Sequence, residues 1–334
     1  MSGPARLDRR RMDRALGAVL ASACGDALGA GYEFADSKLP EDPADVAMIG
    51  GGLGPWEPGE WTDDTQMALS ILDVLACRRG DATVDLVAIG ENFLQWATTH
   101  PPDIGNQTRE VLCSEAEAED LLDWSEKVQE MKGDIVGNGG LMRSAPVALV
   151  ALDDRHTVAR LAADASRLTH AHADSQEACV LWCEAIRLAA CGAEPTMVGE
   201  WTDLVTCGLD LVAAERRDLW RERIDEAVSR PPSTFHPNGW VVSAFQAALA
   251  AVAQTPVRDG APAAHLKAAL QAAVMIGNDT DTVAAIAGAL LGARWGASAL
   301  PEEWIDLLHG IRRKGEPVVR AGELEALVRA SLGA

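Results

Sequence analysis

The chain has 334 residues, which is enough for a large hydrophobic core and by length alone suggests about two domains. Its 50 acidic and 29 basic residues give a formal charge of −21, so the surface repels phosphate backbones; this argues against nucleic acid and anionic membranes as partners. Only four Phe and one Tyr are present, and this composition favours packed helices over β-sheets.

Apolar residues recur at three- and four-residue spacing along most of the chain, which predicts an all-α fold. No alternating strand pattern and no Asn-Gly hairpin joins two apolar runs. Proline- and glycine-rich loops interrupt the helices at 36–60, 99–106 and 229–239, and none resembles a domain linker. The predicted helices cover 12–29, 63–79, 84–98, 106–120, 140–152, 155–166, 174–191, 196–213, 216–228, 240–253, 263–276, 281–295, 301–310 and 322–331.

The N-terminal stretch RRRMDRALGAVLASACGDALGA loosely imitates a signal peptide. Its apolar run, 15–25, is short and bounded by charges, so a buried first helix is favoured over an export signal. We expect no stretch of membrane-spanning length. The seven scattered cysteines include no CxxC pair, which fits a reducing cytoplasm and no disulfide framework.

The sequence TDDTQ (62–66) carries two adjacent carboxylates at the start of a predicted helix. One interpretation is capping, in which Thr62 or Asp63 accepts bonds from free backbone N–H groups and Gln66 completes a capping box. Taken alone, the segment favours capping, since acidic residues also suit the first turn of a helix. The alternative is a cation held between Asp63 and Asp64, because adjacent carboxylates otherwise repel each other.

A second oxygen-rich segment precedes the alanine-rich helix near the C-terminus. Asp279, Asp281 and Thr282 stand there, and a cap would need only one Asp. Together the two segments could supply the roughly six oxygen ligands that Mg²⁺ or Mn²⁺ takes. DTDTV also resembles the nucleophile motif of haloacid-dehalogenase phosphatases, but there the Asp follows a strand, whereas a helical pattern precedes it here. An EF-hand is excluded because no Gly or distal Glu has the required spacing.

The glycine-rich segment 137–140 comes directly before a predicted helix. Small residues and free N–H groups there could form a phosphate pocket, although an ordinary glycine-rich turn explains the same letters. The P-loop lysine is absent, so nucleotide triphosphate hydrolysis is not indicated.

Glu33 follows a small-residue helix in which Gly25 and Gly29 have the character of close-packing positions. Its carboxylate either points into a site or lies in solvent, and in isolation solvent is favoured. His170 and His172 could begin a Zn²⁺ site, but no further Cys or His has supporting spacing. A ligand-contacting or capping role for His170 is the better hypothesis.

Seven segments in order along residues 12–296 resemble the ADP-ribosylglycohydrolase family, with most likeness to the bacterial branch that includes the dinitrogenase reductase-activating glycohydrolase. Each motif alone is modest, whereas seven in the same order are highly specific. The segments are GDALGAGYEF, WTDDTQMALS, PPDIGNQTR, GNGGLMRSAPVAL, LTHAHADS, NGWVVSAFQAAL and GNDTDTVAAIAGALLGA.

The resemblance implies a single compact all-α domain over 1–334 with a binuclear centre of two divalent cations, Mg²⁺ or Mn²⁺. It implies hydrolysis at ribose C1 of ADP-ribosylated proteins, releasing ADP-ribose, with arginine guanidine as the expected leaving group. Serine-linked or small-molecule ADP-ribose is the enzymatic alternative. A non-catalytic ADP-ribose reader, or an immunity or regulatory partner, is a different class.

The resemblance also implies residue roles. Glu33 matches a flap glutamate near the metals and the scissile bond, and Asp103 matches a carboxylate near the reacting ribose; sequence does not say which is the acid. Trp240 or Val241 would lie against the adenine. The implied metal ligands are Thr62, Asp63, Asp64, Asp279, Asp281 and Thr282. The implied ADP-ribose contacts are Gly137, Asn138, Gly139, Gly140, Leu141, Met142, Arg143 and His170.

Two features depart from the family pattern. Asn278 stands where many members have a second glycine, which could narrow the turn before Asp279. The acidic segment 115–131 is an apparent insertion, and a solvated face is favoured over a partner surface.

Overall fold

The fold is that of a computed structural model describing residues 7–35, 38–78, 83–134, 136–192, 200–257 and 261–334. It is built from helices, and the all-α prediction is confirmed. The predicted helix end at 79 and helix start at 196 lie outside the described residues. The helices are α1 (Arg9–Gly29), α2 (Asp63–Cys77), α3 (Leu86–Ala97), α4 (Asn106–Leu112), α5 (Leu121–Lys132), α6 (Gly139–Met142), α7 (Arg155–Arg167), α8 (Ala173–Cys191), α9 (Glu200–Thr206), α10 (Arg217–Ser229), α11 (Val241–Gln254), α12 (Pro262–Val274), α13 (Thr280–Trp295), α14 (Glu302–Leu307) and α15 (Ala321–Ser331).

Helices α1 and α13 pack backbone against backbone at the centre of the fold. A Cβ on Gly17 would lie 2.3 Å from the carbonyl oxygen of Gly292, and a Cβ on Gly25 would lie 2.2 Å from that of Ala284. Such distances are far inside van der Waals contact, so only glycine fits at these crossings. The contact holds the C-terminal end of α1 against the N-terminal end of α13.

The stretch Arg9–Tyr32 is long and apolar enough, by length and composition, to cross a membrane. The expectation that no stretch reaches such a length is therefore wrong. Its apolar window is buried entirely inside the protein. Most side chains of this helix are small, which lets neighbouring helices approach it closely. This burial confirms the prediction of a buried first helix.

Most of the buried apolar side chains of the described residues form one contiguous cluster that runs from Met12 to Val328. The largest are four tryptophans with no appreciable exposure, Trp61, Trp96, Trp182 and Trp220. All seven cysteines lie within the described ranges and are free, as the absence of a disulfide framework predicted.

Several predicted helices are shorter than the periodicity indicated, and the one predicted over 196–213 ends at Thr206. The helix predicted over 106–120 ends at Leu112, because the Ser114 hydroxyl donates to Val111 O and accepts from Ala116 N, which closes a local turn instead. The helix predicted over 140–152 is only the single turn α6. Pro146 has no N–H and disfavours helical backbone before it, so a short 3₁₀ turn follows.

A small antiparallel pair, β1 (His309–Gly310) and β2 (Val319–Arg320), lies at the end of the predicted helix 301–310 and was not predicted. Two-residue strands are too short to produce an alternating pattern. The pair positions the site, since Trp61 N donates to His309 O over 3.0 Å and the Trp61 indole covers Gly310. Trp61 thereby fixes the backbone that enters α2.

The acidic segment 115–131 forms a short 3₁₀ turn and most of α5. Leu121 and Val128 are fully buried, whereas Asp123, Glu126 and Glu130 are exposed. The helix is therefore amphipathic, and its acidic residues form a solvated face.

Candidate active site

The six predicted metal ligands lie at the starts of α2 and α13, and side-chain oxygens from the two helix starts meet there. Thr62 Oγ1 lies 3.2 Å from Asp64 Oδ2 and 3.3 Å from Asp281 Oδ2, and Thr282 Oγ1 lies 3.4 Å from Asp64 Oδ2. All six residues are buried. Segments more than two hundred residues apart in sequence thus form one oxygen-rich site.

Asp26, on the last turns of α1, is the buried anchor of this site. Its Oδ1 accepts from the backbone N–H and the hydroxyl of Thr62, both over 2.8 Å. Its Oδ2 accepts from the backbone N–H of Thr65 over 2.9 Å and from the Thr65 hydroxyl over 2.6 Å. One carboxylate therefore takes four hydrogen bonds from the start of α2.

The capping interpretation of TDDTQ is wrong, because the side chains of this segment do not cap their own helix. Thr62 is the N-cap residue but makes no side-chain capping bond, and the Gln66 amide oxygen accepts from Trp96 Nε1 instead. Asp26 accepts the free N–H groups from a different helix. The carboxylates of Asp63 and Asp64 are consequently not used as caps.

Asp26 also fixes the direction of the Thr62 hydroxyl. A hydroxyl has one hydrogen and two lone pairs, and the shortest contact of Thr62 Oγ1 is with Asp26. With its hydrogen directed to Asp26, the lone pairs remain on the side of Asp64 and Asp281. Thr62 can then serve as an oxygen ligand between two carboxylates.

The isolated segment favoured a solvent-exposed Glu33, and this expectation is wrong. Glu33 lies just beyond α1 and points into the site. It is only 7% exposed, and one carboxylate oxygen from each of Glu33, Asp279 and Asp281 lies within 4.8 Å of the others. The same holds for Asp26, Asp64 and Asp281. Asp281 belongs to both groups, so the two oxygen clusters are adjacent.

Asp103 reaches the site from the loop before α4. Its Oδ2 accepts from the backbone N–H of Asp63 over 3.4 Å, while its Oδ1 is buried without a hydrogen-bond partner. The structure therefore brings both predicted catalytic carboxylates, Glu33 and Asp103, to the six oxygen-bearing residues.

The buried negative charge shifts the carboxyl groups. Burial, followed by repulsion from Asp279 and Asp103, raises the pKa of Glu33 to about 9. Burial raises the pKa of Asp103 to about 7 and that of Asp26 to about 6, the latter opposed by the threonine hydrogen bonds. Burial and neighbouring carboxylates also raise the pKa values of Asp63, Asp64 and Asp281. Burial raises the pKa of Asp279 as well, opposed by hydrogen bonds that include one from Asn138.

The residues fit a divalent cation centre. The salt bridges found among the described residues join other carboxylates, such as Asp73 and Asp174, and involve none of these seven. Glu33 Oε2, Asp64 Oδ1 and Asp103 Oδ1 are buried without hydrogen-bond partners. Hard oxygen donors of this kind suit Mg²⁺ or Mn²⁺. Because Asp26 is saturated by four hydrogen bonds, it positions ligands and offers few free lone pairs.

Asn278 lies in the turn before α13, at the position where the family resemblance led us to expect a glycine. Asn278 has φ of 63°, in the left-handed region that asparagine tolerates better than most residues. Its carbonyl oxygen accepts from Phe34 N over 2.7 Å, which ties this turn to the residue after Glu33. Asparagine is therefore compatible with the backbone conformation of the turn before Asp279.

The loop at 137–140 is joined directly to the acidic cluster. Asn138 Nδ2 donates to Asp279 Oδ2 over 2.8 Å and to Asn238 O over 3.0 Å, while Asn238 Oδ1 accepts from Asp279 N. The N–H groups of Gly137 and Asn138 are used within the protein, by Gln107 Oε1 and Gly239 O. These two N–H groups are therefore not free to bind a phosphate, contrary to what the glycine-rich segment suggested, and the loop is held beside the carboxylates.

His170 and Trp240 border this loop. A Cβ on Gly139 would lie 2.8 Å from His170 Cε1, so the imidazole packs directly on the glycine backbone. Trp240 pairs with Gly137 in an isolated bridge and is 41% exposed. The capping role belongs to His172, whose Nδ1 accepts from Asp174 N at the start of α8.

Comparison with known proteins finds relatives that match most of the chain. A sequence model of the ADP-ribosylglycohydrolase family matches residues 7–333. The chain belongs to the ADP-ribosylglycohydrolase family. The resemblance carried by the seven motifs is thereby confirmed, and the members of this family hydrolyse ADP-ribosyl linkages.

Three relatives of this glycohydrolase span most of its length. ADP-ribosylarginine hydrolase Tri1 of Pseudomonas putida (strain GB-1) is 31% identical over 308 residues, covering 88% of this chain and 74% of the relative. The ADP-ribosyl-[dinitrogen reductase] glycohydrolase of Rhodospirillum rubrum is 29% identical, covering 89% and 90%. ADP-ribosylhydrolase ARH3 of Homo sapiens is 27% identical, covering 88% and 89%.

A solved structure described as an ADP-ribosylglycohydrolase-related protein complex shares the fold of this glycohydrolase. The two chains superpose with a TM-score of 0.72 at 29% identity, over 98% of this chain and 99% of the other.

Four predicted ligand contacts of this glycohydrolase lie in its core. Leu141, Met142 and Val241 are buried among apolar side chains. The guanidinium of Arg143 lies 4.3 Å from the ring centroid of Phe93 and donates to groups of α7 and the turn after it. Trp240 is the exposed member of the pair predicted to face the adenine.

Sequence reasoning missed Asp26 as a site residue of this glycohydrolase. The signal was present, because Asp26 is the one charged residue in an apolar, small-residue helix from Ala15 to Ala30. A carboxylate in a buried helix requires partners, and its position between close-packing glycines pointed to a neighbouring helix. Its fully buried carboxylate has those partners in Thr62 and Thr65.

Proposed function

We propose that this glycohydrolase removes ADP-ribose from ADP-ribosylated arginine side chains of proteins. The observation that carries the proposal is the meeting of Asp64 with Asp279 and Asp281 beside Glu33, in one buried cluster of carboxylate oxygens. One relative supports the arginine linkage, since it is named an ADP-ribosylarginine hydrolase. A second, named an ADP-ribosyl-[dinitrogen reductase] glycohydrolase, supports a protein substrate.

Two divalent cations, Mg²⁺ or Mn²⁺, would be held by the six clustered oxygen-bearing residues. When bound, they would supply Lewis-acid chemistry to the ribose hydroxyls and to the attacking water. The ligands would be Thr62, Asp63, Asp64, Asp279, Asp281 and Thr282.

In the proposed reaction water adds to ribose C1 while the bond from C1 to the guanidine nitrogen breaks. The water loses a proton and the departing guanidine gains one, so the protons balance. Glu33 and Asp103 are the two site carboxylates outside the ligand set, and each has a buried oxygen without a partner. We assign proton transfer to this pair, and their charges also favour the positive character that develops at C1.

The substrate would lie with its diphosphate along 137–140 and its adenine against Trp240. Asn138 supports this placement, because it connects the loop to Asp279 and so sets the distance from the loop to the acidic cluster. The contiguous core supports one domain over 1–334, and seven free cysteines support a cytoplasmic location.

The deciding experiment offers proteins ADP-ribosylated on arginine, on serine and on glutamate, each with Mg²⁺, with Mn²⁺ and with chelator. We expect release of ADP-ribose from the arginine-linked substrate only when a metal is present. Release from serine alone would overturn the arginine assignment and favour a specificity for serine-linked ADP-ribose. No metal-dependent release from any substrate would refute the hydrolase proposal.

Separate Asp63→Ala and Asp281→Ala variants test the shared metal site, and each should abolish turnover. Asp73→Ala is the matched control, since Asp73 lies on the outer part of α2, where it pairs with Arg312. Full activity in either site variant would contradict the proposed ligand set.

A further inference from the structure

A buried polar chain connects Arg143 to the imidazole beside the 137–140 loop. Arg143 Nη2 donates to Thr169 Oγ1 over 2.7 Å, and Thr169 Oγ1 lies 2.8 Å from His170 Nδ1. All three residues are at most 1% exposed, so water does not compete for these bonds.

The chemistry of the three groups fixes the direction of each bond. A guanidinium has donors only, so the Thr169 oxygen must accept from Arg143. Among the described residues, Thr169 Oγ1 has two hydrogen-bond partners, Arg143 and His170. Its own hydrogen therefore has one available acceptor, His170 Nδ1. If Nδ1 carried a proton instead, the buried hydroxyl hydrogen would have no acceptor.

We infer that Arg143 and Thr169 are positioning residues that hold His170 as the tautomer protonated on Nε2, with this N–H directed at the 137–139 backbone. Gly137 marks the direction of that nitrogen, since a Cβ there would lie 3.3 Å from His170 Nε2. The inference rests on the proposed function for the identity of the ligand, an oxygen of ADP-ribose lying on this loop.

The surroundings keep the ring neutral. Burial, followed by the charge of Arg143, lowers the pKa of His170 well below 6.5. A neutral donor of fixed direction binds a hydroxyl or phosphate oxygen but carries no proton to the reaction. Arg143 thus acts on the ligand through His170, although its own side chain lies in the core.

The backbone around the imidazole is fixed from the other side as well. Gln107 accepts from Gly137 N over 3.1 Å through Oε1 and donates to Thr169 O over 3.4 Å through Nε2. The loop and the residue that orients the ring are therefore connected by one amide. A shift of either one changes the direction in which the N–H points.

The test measures the tautomer first, by long-range ¹H–¹⁵N correlation on ¹⁵N-labelled protein without substrate. The chain has seven histidines, and loss of one pattern in His170→Gln assigns the signal. We expect an unprotonated Nδ1 and a protonated Nε2. The opposite pattern would overturn the inference while leaving the proposed hydrolase function intact.

Variants of Thr169 then link the tautomer to binding. Thr169→Val removes the hydroxyl at nearly constant shape, and we expect a mixed or reversed tautomer and ADP-ribose binding weakened about tenfold. Thr169→Ser restores the hydroxyl and should recover both. Ser166→Ala is the control, because Ser166 Oγ bonds to His170 O and not to the ring.

An unchanged ring pattern and affinity in Thr169→Val would contradict the inference. If Thr169→Val fails to fold by circular dichroism, the wild-type and Thr169→Ser ring patterns decide. Absence of ADP-ribose binding in the wild type, with the expected tautomer present, would instead refute the proposed ligand.

Discussion

The backbone of Gly29 on α1 touches the backbone of Asp281 on α13, since a Cβ on Gly29 would lie 2.4 Å from Asp281 Cα. No flexible side chain can move aside to make room, because the neighbouring atoms belong to the main chain. The spacing between the two helices at the site is therefore set by the absence of one methyl group.

Gly29→Ala should separate α1 from α13 where the acidic clusters meet. We expect a loss of about 1–3 kcal/mol in the free energy of unfolding, typical of overpacking, together with a clear loss of Mn²⁺ affinity and turnover. Chemical denaturation and Mn²⁺ titration measure the two effects. Gly322→Ala is the control, because a Cβ there meets nothing within 4 Å. Equal behaviour of the two variants would contradict this view of the contact.

Asp26→Asn should weaken the site from a residue that we do not count among its ligands. The amide nitrogen cannot accept a hydrogen bond, so two donors of Thr62 or Thr65 lose their partner. We expect a cost of about 1–3 kcal/mol in the free energy of unfolding and reduced metal affinity. The control Asp73→Asn breaks a partly exposed ion pair and should cost about 0–1 kcal/mol. Wild-type metal affinity in Asp26→Asn would show that Thr62 needs no such support.

Periodicity predicted most helices because the long ones have clear apolar faces against the core, as in α8 and α11. It failed where a local side chain competes with the helix, as Ser114 does, and where Pro146 removes an N–H. The two-residue strands left no periodic signal at all.

The site was predictable to the extent that its residues form short motifs, such as TDDTQ and NDTDT. The donor and acceptor of each bond were not, because a helix start can be capped by its own residues or by a carboxylate from elsewhere. Asp26 and the buried orientation of Arg143 depend on which helices are neighbours, which a local pattern does not contain.

In the metal-free protein, protonation of Glu33 at low pH should stabilise the folded state. The folded-state pKa of Glu33, about 9, is above its ordinary value of 4.5. A raised pKa means that the contribution to stability is fully present below pH 4.5 and is lost as the pH rises through about 9. In chelator, Glu33→Gln should therefore unfold at a higher temperature than wild type, by a margin that grows between pH 5 and pH 9. A difference in unfolding temperature that does not depend on pH would contradict the raised pKa of Glu33.

The same Glu33→Gln variant should lose activity while gaining this stability. A carboxylate that transfers protons contributes roughly 10²–10⁴-fold to the rate, and an amide cannot replace it. Turnover of arginine-linked ADP-ribose at saturating Mn²⁺ measures the loss, and Glu41→Gln serves as an exposed-loop control. Wild-type turnover in Glu33→Gln would leave Asp103 as the sole candidate for proton transfer.

Divalent cations should stabilise the wild-type protein at neutral pH. Ligands that bind only the folded state add about 2.7 kcal/mol at a concentration 100 times their dissociation constant. We expect Mg²⁺ or Mn²⁺ to raise the unfolding temperature by several degrees in wild type and by little in Asp281→Ala, in differential scanning calorimetry. Equal stabilisation of both proteins would place the ions elsewhere.

The contact between α1 and α13 also determines at what stage of synthesis the site can form. Asp26 and the first cluster emerge early from the ribosome, whereas Asp281 follows only after more than two hundred further residues. Closing so long a loop costs entropy before any contact repays it, and contacts of this kind form late in folding. A nascent chain therefore exposes an α1 rich in glycine and alanine with one carboxylate awaiting its partners. Neither end of the sequence can assemble the active centre without the other.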